Sequence, residues 1–204
     1  MHLLLIAILF AVNFGISWFN AYSVGRSWAD SKAIGGWPRF MVWCGAIMSG
    51  CGFTWCYLII FALIAMATGK LSMNYIQLML EVGYVAIFIP IMGSGLAIWM
   101  DSVTTAWRRR NATSIGVAAW NTFAMAHNTY EAARTMPKVL QDIGKAFSKG
   151  NGQAKLLLLV VLLVLLALCA GGLTTAAIIR STARGYARGV IESHGFQRAS
   201  PATT

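Results

Sequence analysis

The residues best suited to chemistry in this 204-residue chain lie inside apolar runs. Glu81 is the one acidic residue well inside such a run, Tyr75 to Trp99, and Gln77 lies one helical turn before it on the same face. A carboxylate at that depth is expensive when ionised and turned to lipid, so it should face a neighbouring helix, a partner or water. Pro90, followed by Gly93, Ser94 and Gly95, would kink or open the same helix at mid-span. Together these features describe a small proton- or ion-coupled site built around Glu81 and the break. The competing reading is a carboxylate that merely reaches interfacial water or Lys70, with Pro90 and the small residues after it serving ordinary helix packing.

A second set lies in the first apolar run, Leu3 to Tyr22. Asn13, Ser17 and Asn20 follow i, i+4, i+7 and share one helical face. Either they hydrogen-bond a neighbouring helix or, with Gln77 and Glu81, they line a pore or ion path. In the run from Phe40 to Ala67, Gly45, Ser49, Gly52 and Cys56 form a stripe of small side chains, which reads as a helix-packing face.

Other chemistries lack their residues. There is no HExxH, GxSxG, P-loop or GxGxxG pattern. His2, His127 and His194 fall at or beyond the ends of the apolar runs, so neither an intramembrane serine protease nor a bis-histidine haem site is expected. Cys44, Cys51, Cys56 and Cys169 form no CxxC pair or Cys/His cluster and read as packing residues. The expectation is a non-enzymatic protein with no metal and no cofactor.

The elements that position these residues follow from composition. The chain is 58 % hydrophobic and only 11 % charged, with a mean hydropathy of +0.66. The span Leu156–Ile179 is uncharged and framed by Lys155 and Arg180. As a helix it would reach about 36 Å, enough for a hydrocarbon layer of about 30 Å. The expected fold is an all-α integral membrane protein with four transmembrane helices, at about 3–22, 40–67, 75–99 and 156–179. The first is read as a retained helix, because no positive charge precedes it as in a signal peptide. Residues 1–100 form a three-helix membrane region, and 101–155 an amphipathic interfacial or cytoplasmic segment. The region 156–204 holds the fourth span and a basic C-terminal helical extension. Residues 23–39, with Gly35, Gly36 and Pro38, are expected to be a basic loop.

Within 101–155 two helices separated by Pro137 are expected. The first carries an aromatic face of Trp120, Phe123, His127 and Tyr130. The second sets Val139, Leu140, Ile143 and Phe147 against Lys138, Asp142, Lys145 and Lys149. Such helices lie in the headgroup plane or pack on partners. A fifth span at 113–126 would be short and flanked by polar residues.

The formal charge is +10, which suits anionic lipid headgroups first and nucleic acid poorly. Arg108, Arg109, Arg110, Lys138, Lys145, Lys149, Arg180, Arg184 and Arg188 are the expected headgroup contacts. With four spans the positive-inside rule places 23–39 and 101–155 in the cytoplasm and both termini outside. The arginines after Ile179 point the other way, a conflict that a five-span chain would relieve. Three functions fit: an oligomeric pore, channel or structural subunit of a membrane assembly; a small transporter using Glu81 and Pro90; or a membrane-anchored module that recruits a partner through residues 101–155.

Overall fold

The structure, a computed structural model, describes residues 2–69, 71–148 and 154–199, with side chains described over 6–69, 71–146, 148 and 158–187. The described backbone forms five helices: α1 (His2–Ile34), α2 (Gly36–Thr68), α3 (Met73–Arg109), α4 (Ala112–Ser148) and α5 (Ala154–Ala199). Helices α1, α2, α3 and α5 are long and apolar enough to cross a membrane, and α4, between the third and the last of them, is not. The chain is a multi-pass integral membrane protein.

The helices end where the backbone demands it and not where the apolar runs stop. Residues 23–34, expected as loop, continue α1 to Ile34. Arg26, Asp30 and Lys32 end the apolar run, but none of them breaks a helical hydrogen-bond ladder. The turn falls at Gly35 and Gly36, with φ of +68° and +55°, a region that glycine enters without steric penalty. Likewise α3 runs ten residues past Trp99 and stops at Arg110, whose φ is +48° and whose N–H reaches the Ala106 carbonyl at 3.0 Å. Asn111 then opens α4, its Oδ1 accepting the Ser114 N–H at 2.8 Å.

One proline expectation is corrected, and the other is narrowed. Pro137 does not divide the segment into two helices: it sits inside the single helix α4. Pro90 likewise lies inside an unbroken α3. A proline removes one backbone donor, but a helix packed along a neighbour can carry that loss.

Helix α2 is central, packing on α1, α3 and α5, while α1 also meets α5. Leu58, Ala62, Met79, Val160, Val164 and Ala167 form a core joining α2, α3 and α5. Ala21, Val24, Phe53 and Ile179 join α1, α2 and α5 in a second. Helix α4 packs on α3 and only marginally on α5. Among the described residues the backbone of α1 approaches neither α3 nor α4 closely.

Neighbouring contacts set the directions. Asn13 meets Gly52, Trp55 packs on Tyr84, Trp99 bonds Thr122, and Thr175 meets Ser49. Consecutive helices α1 to α4 are therefore antiparallel in turn, and α5 runs parallel to α1, with Gly25 against Thr182. One end of the bundle collects Ile34, Gly36, Arg109, Ala112 and the region of Arg180 to Arg184. The other collects Thr68, Met73, Ser148 and Ala154.

Candidate functional site

The polar groups inside the apolar helices are concentrated in the seams of α2. On its α1 side, Asn13 Nδ2 donates to the Gly52 carbonyl at 3.0 Å and to Cys56 Sγ at 3.2 Å. Ser17 is buried, and its Oγ donates to the Asn13 carbonyl at 2.7 Å. Ser49 Oγ donates to the Ser17 carbonyl at 2.7 Å. A Cβ placed on Gly52 would collide with Ser17 Oγ, and one on Gly45 would come within 2.7 Å of Val24. The four small residues Gly45, Ser49, Gly52 and Cys56 thus face α1, whose polar stripe fills the space they leave. Asn20, one turn on, is half-buried.

A second seam, which the sequence reading missed, joins α2 to α5. Ser49 Oγ is 3.3 Å from Thr175 Oγ1, and Tyr57 Oη is 2.8 Å from Thr174 Oγ1. Gly171 lies directly on α2, where an added Cβ would stand 2.7 Å from both the Gly50 carbonyl oxygen and the Thr54 nitrogen. Ser49, 0 % exposed, is therefore a junction of three helices. The signal was present in Gly50, Thr54, Gly171, Thr174 and Thr175, but which small residues of a span meet a neighbour depends on a pairing that one sequence does not encode. Among the described residues every buried side-chain polar atom has a hydrogen-bond partner.

Glu81 and Gln77 lie apart from these seams. Gln77 is exposed, and its Nε2 donates to Glu81 Oε1 at 2.7 Å, with Glu81 half-buried on α3. The backbones of α1 and α3 do not approach each other, and although Asn13 and Leu80 line one cavity, no hydrogen bond joins Asn13, Ser17 or Asn20 to Gln77 or Glu81 among the described residues.

The end of the bundle around Gly35 is basic and aromatic. Arg39 stacks on Trp28, its guanidinium carbon 3.9 Å from the ring centre, and donates to the Trp28 carbonyl and Ser31 Oγ at 3.2 Å. Trp28 packs edge-on against Trp43, and Trp37 Nε1 donates to Asp101 Oδ1 at 2.6 Å. Arg108, Arg109, Arg110, Arg180 and Arg184 are exposed at the same end. An apolar groove of about 710 Å³ runs between α2 and α5, from Leu168 to Trp28, Trp43, Arg180 and Arg184. Lys138 and Lys145 are exposed on α4, and Lys149 and Arg188 lie outside the described side chains.

Among the described residues no three His, Cys, Asp or Glu side chains converge as a metal site, and the four cysteines are unpaired. The helix bundle holds structural hydrogen bonds in its seams and carries its unpaired charge on the outside. Comparison with protein-family models, with curated proteins and with solved structures finds no match to this chain.

Proposed function

We propose that the chain is a non-enzymatic subunit of an oligomeric membrane assembly, of pore, channel or structural type. The observation that carries this reading is the placement of α4, a 37-residue helix held almost entirely by α3. Most of its circumference is left uncovered, with Trp120, Phe123 and Tyr130 all more than 60 % exposed. A helix so weakly enclosed by its own chain is a natural element for contact between copies. The seams of α2 support the same view: they are closed by direct hydrogen bonds, so a conduit belongs between chains and not through one.

Anionic lipid is the proposed surrounding partner. The groove between α2 and α5 is apolar along its length and ends at Arg180 and Arg184, beside the Arg39–Trp28–Trp43 stack. The transporter alternative, resting on Glu81 and a broken helix, has less support, because α3 continues through Pro90 and Glu81 is engaged by its neighbour Gln77. Recruitment of a soluble partner through α4 would instead require α4 to stand clear of the bilayer.

The test is the native mass of the full chain in detergent and in lipid nanodiscs. A defined oligomer is expected, and a strict monomer in both media would overturn the reading.

A further inference from the structure

The pairing of α3 with α4 fixes the depth at which α4 lies. Near one end, Trp99 Nε1 donates to Thr122 Oγ1 at 2.9 Å, and Met125 Sδ lies beside Gly95. Near the other, Ile143 and Ala146 pack on the core shared by α2, α3 and α5, to which α3 contributes Ile76, Leu78 and Met79. Residues 122–143 of α4 therefore run alongside residues 99–76 of α3, the apolar stretch that crosses the hydrocarbon. The inner face of α4 is made for this, with buried Ala118, Ala132 and Val139 at spacings of fourteen and seven residues, whole heptads along one face.

The outer face is not made for lipid. Trp120, Phe123, His127, Tyr130, Arg134, Lys138, Gln141 and Lys145 form one continuous exposed stripe, and only its first turns suit acyl chains. Arg134 falls midway between the two anchors, level with about Ile87 of α3. Half of a hydrocarbon layer is about 15 Å, farther than an arginine side chain extends, so the guanidinium cannot reach the headgroups by snorkelling. Lys145 pairs with Asp142 at 3.5 Å, the one salt bridge among the described residues; Arg134 and Lys138 make none, and the acid next to Arg134 on the helix is the half-buried Glu131, one turn before it. By contrast, the outward residue of α3 nearest that depth is Ile89, 72 % exposed and suited to lipid.

We infer that α4 crosses the bilayer as a fifth, polar helix whose stripe of Arg134, Lys138, Gln141 and Lys145 faces a water-filled lumen closed by further copies of this chain, and that this lumen takes small inorganic anions. Water satisfies the charges that lipid cannot, and rings of Arg and Lys repeated around a symmetry axis select anions. The inference rests on the oligomeric reading given above and adds to it the lumen, its lining and its selectivity.

The test reconstitutes the full chain in planar bilayers and reads the reversal potential in a potassium chloride gradient, with native mass recorded on the same preparation. The native chain is expected to reverse toward the chloride equilibrium potential, and Arg134→Glu with Lys138→Glu to move reversal toward the potassium value. Lys138→Glu alone, with a smaller shift in the same direction, serves if the double variant fails to assemble. An oligomer that conducts with selectivity unchanged by these variants overturns the lumen lining and leaves the oligomeric assembly standing. An oligomer that conducts nothing also overturns the lumen while the structural assembly survives. A monomer without conductance overturns both.

Discussion

Replacing Gly171 by alanine tests the α2–α5 seam at its tightest point. The added methyl would stand 2.7 Å from the Gly50 carbonyl oxygen and 2.7 Å from the Thr54 nitrogen, and would clash with Thr54 Oγ1. Two of these three atoms are backbone, so no rotamer change relieves them. Restoring a separation of about 3.5 Å requires the two helices to part locally by nearly 1 Å, and a gap of that size forfeits about a quarter to a half of each dispersion contact it opens. The cost of overpacking is about 1–3 kcal/mol. Gly172→Ala is the matched control: it sits in the same helix, gains the same helix propensity of up to about 1 kcal/mol, and meets nothing within 4 Å. The difference between the two variants therefore isolates the clash. The assay is unfolding in mixed micelles of increasing sodium dodecyl sulfate content, followed by tryptophan fluorescence. If Gly171→Ala unfolds at the same detergent fraction as Gly172→Ala, the helices do not approach here as described and the seam is wrong.

Other perturbations separate the remaining parts. Asn13→Leu removes two interhelical hydrogen bonds while filling the same volume, and should lower stability by about 0.6–2 kcal/mol in the same unfolding assay. Thr122→Val deletes the acceptor of the Trp99 indole and should raise amide hydrogen exchange across α4 while leaving α2 and α5 unchanged. Arg180→Gln with Arg184→Gln should reduce retention of phosphatidylglycerol over phosphatidylcholine by native mass spectrometry, with the fold intact by circular dichroism. Glu81→Gln should leave oligomer mass and conductance close to native, since its recorded partner is Gln77, which can bond a neutral amide; loss of all flux with assembly preserved would favour the transporter instead.

Apolar runs locate membrane-crossing helices because burial in lipid needs about 20 apolar residues in a row. That is why Phe40–Ala67 and Leu156–Ile179 read clearly. The same property hides where helices end: charge stopped the run at Tyr22 but the helix continued to Ile34, and the break waited for two glycines of positive φ. Prolines misled in the opposite direction, since Pro137 would end a solitary helix but lies inside one packed along α3. The periodicity of Asn13, Ser17, Gly45, Ser49, Gly52 and Cys56 was legible face by face, whereas their meeting across α1 and α2 was not. The α4 stripe shows the same limit: its amphipathicity was plain, but amphipathicity alone does not distinguish a helix lying in the headgroup plane from one standing against α3.

A bilayer-crossing α4, as inferred above, would also remove the conflict among the basic residues. While residues 101–155 are taken to return to the side they left, the arginines before Gly35 and after Trp99 share one side, and those beginning at Arg180 fall on the opposite one. An antiparallel α4 as long as α3 carries the chain back along the bundle before α5 begins. Arg26, Arg39, Arg108, Arg109, Arg110, Arg180 and Arg184 then gather at a single end, with Trp28, Trp37, Trp43 and Trp107 beside them. The positive-inside rule would then place that end in the cytoplasm. The rule counts charges flanking the spans, so under the inference that α4 crosses the bilayer Arg134 and Lys138 cast no vote on orientation. Their position at that depth is itself the reason to look for water beside them: residues that the four-span reading treated as orienting charges become, in a five-helix bundle, the ones whose desolvation has to be avoided.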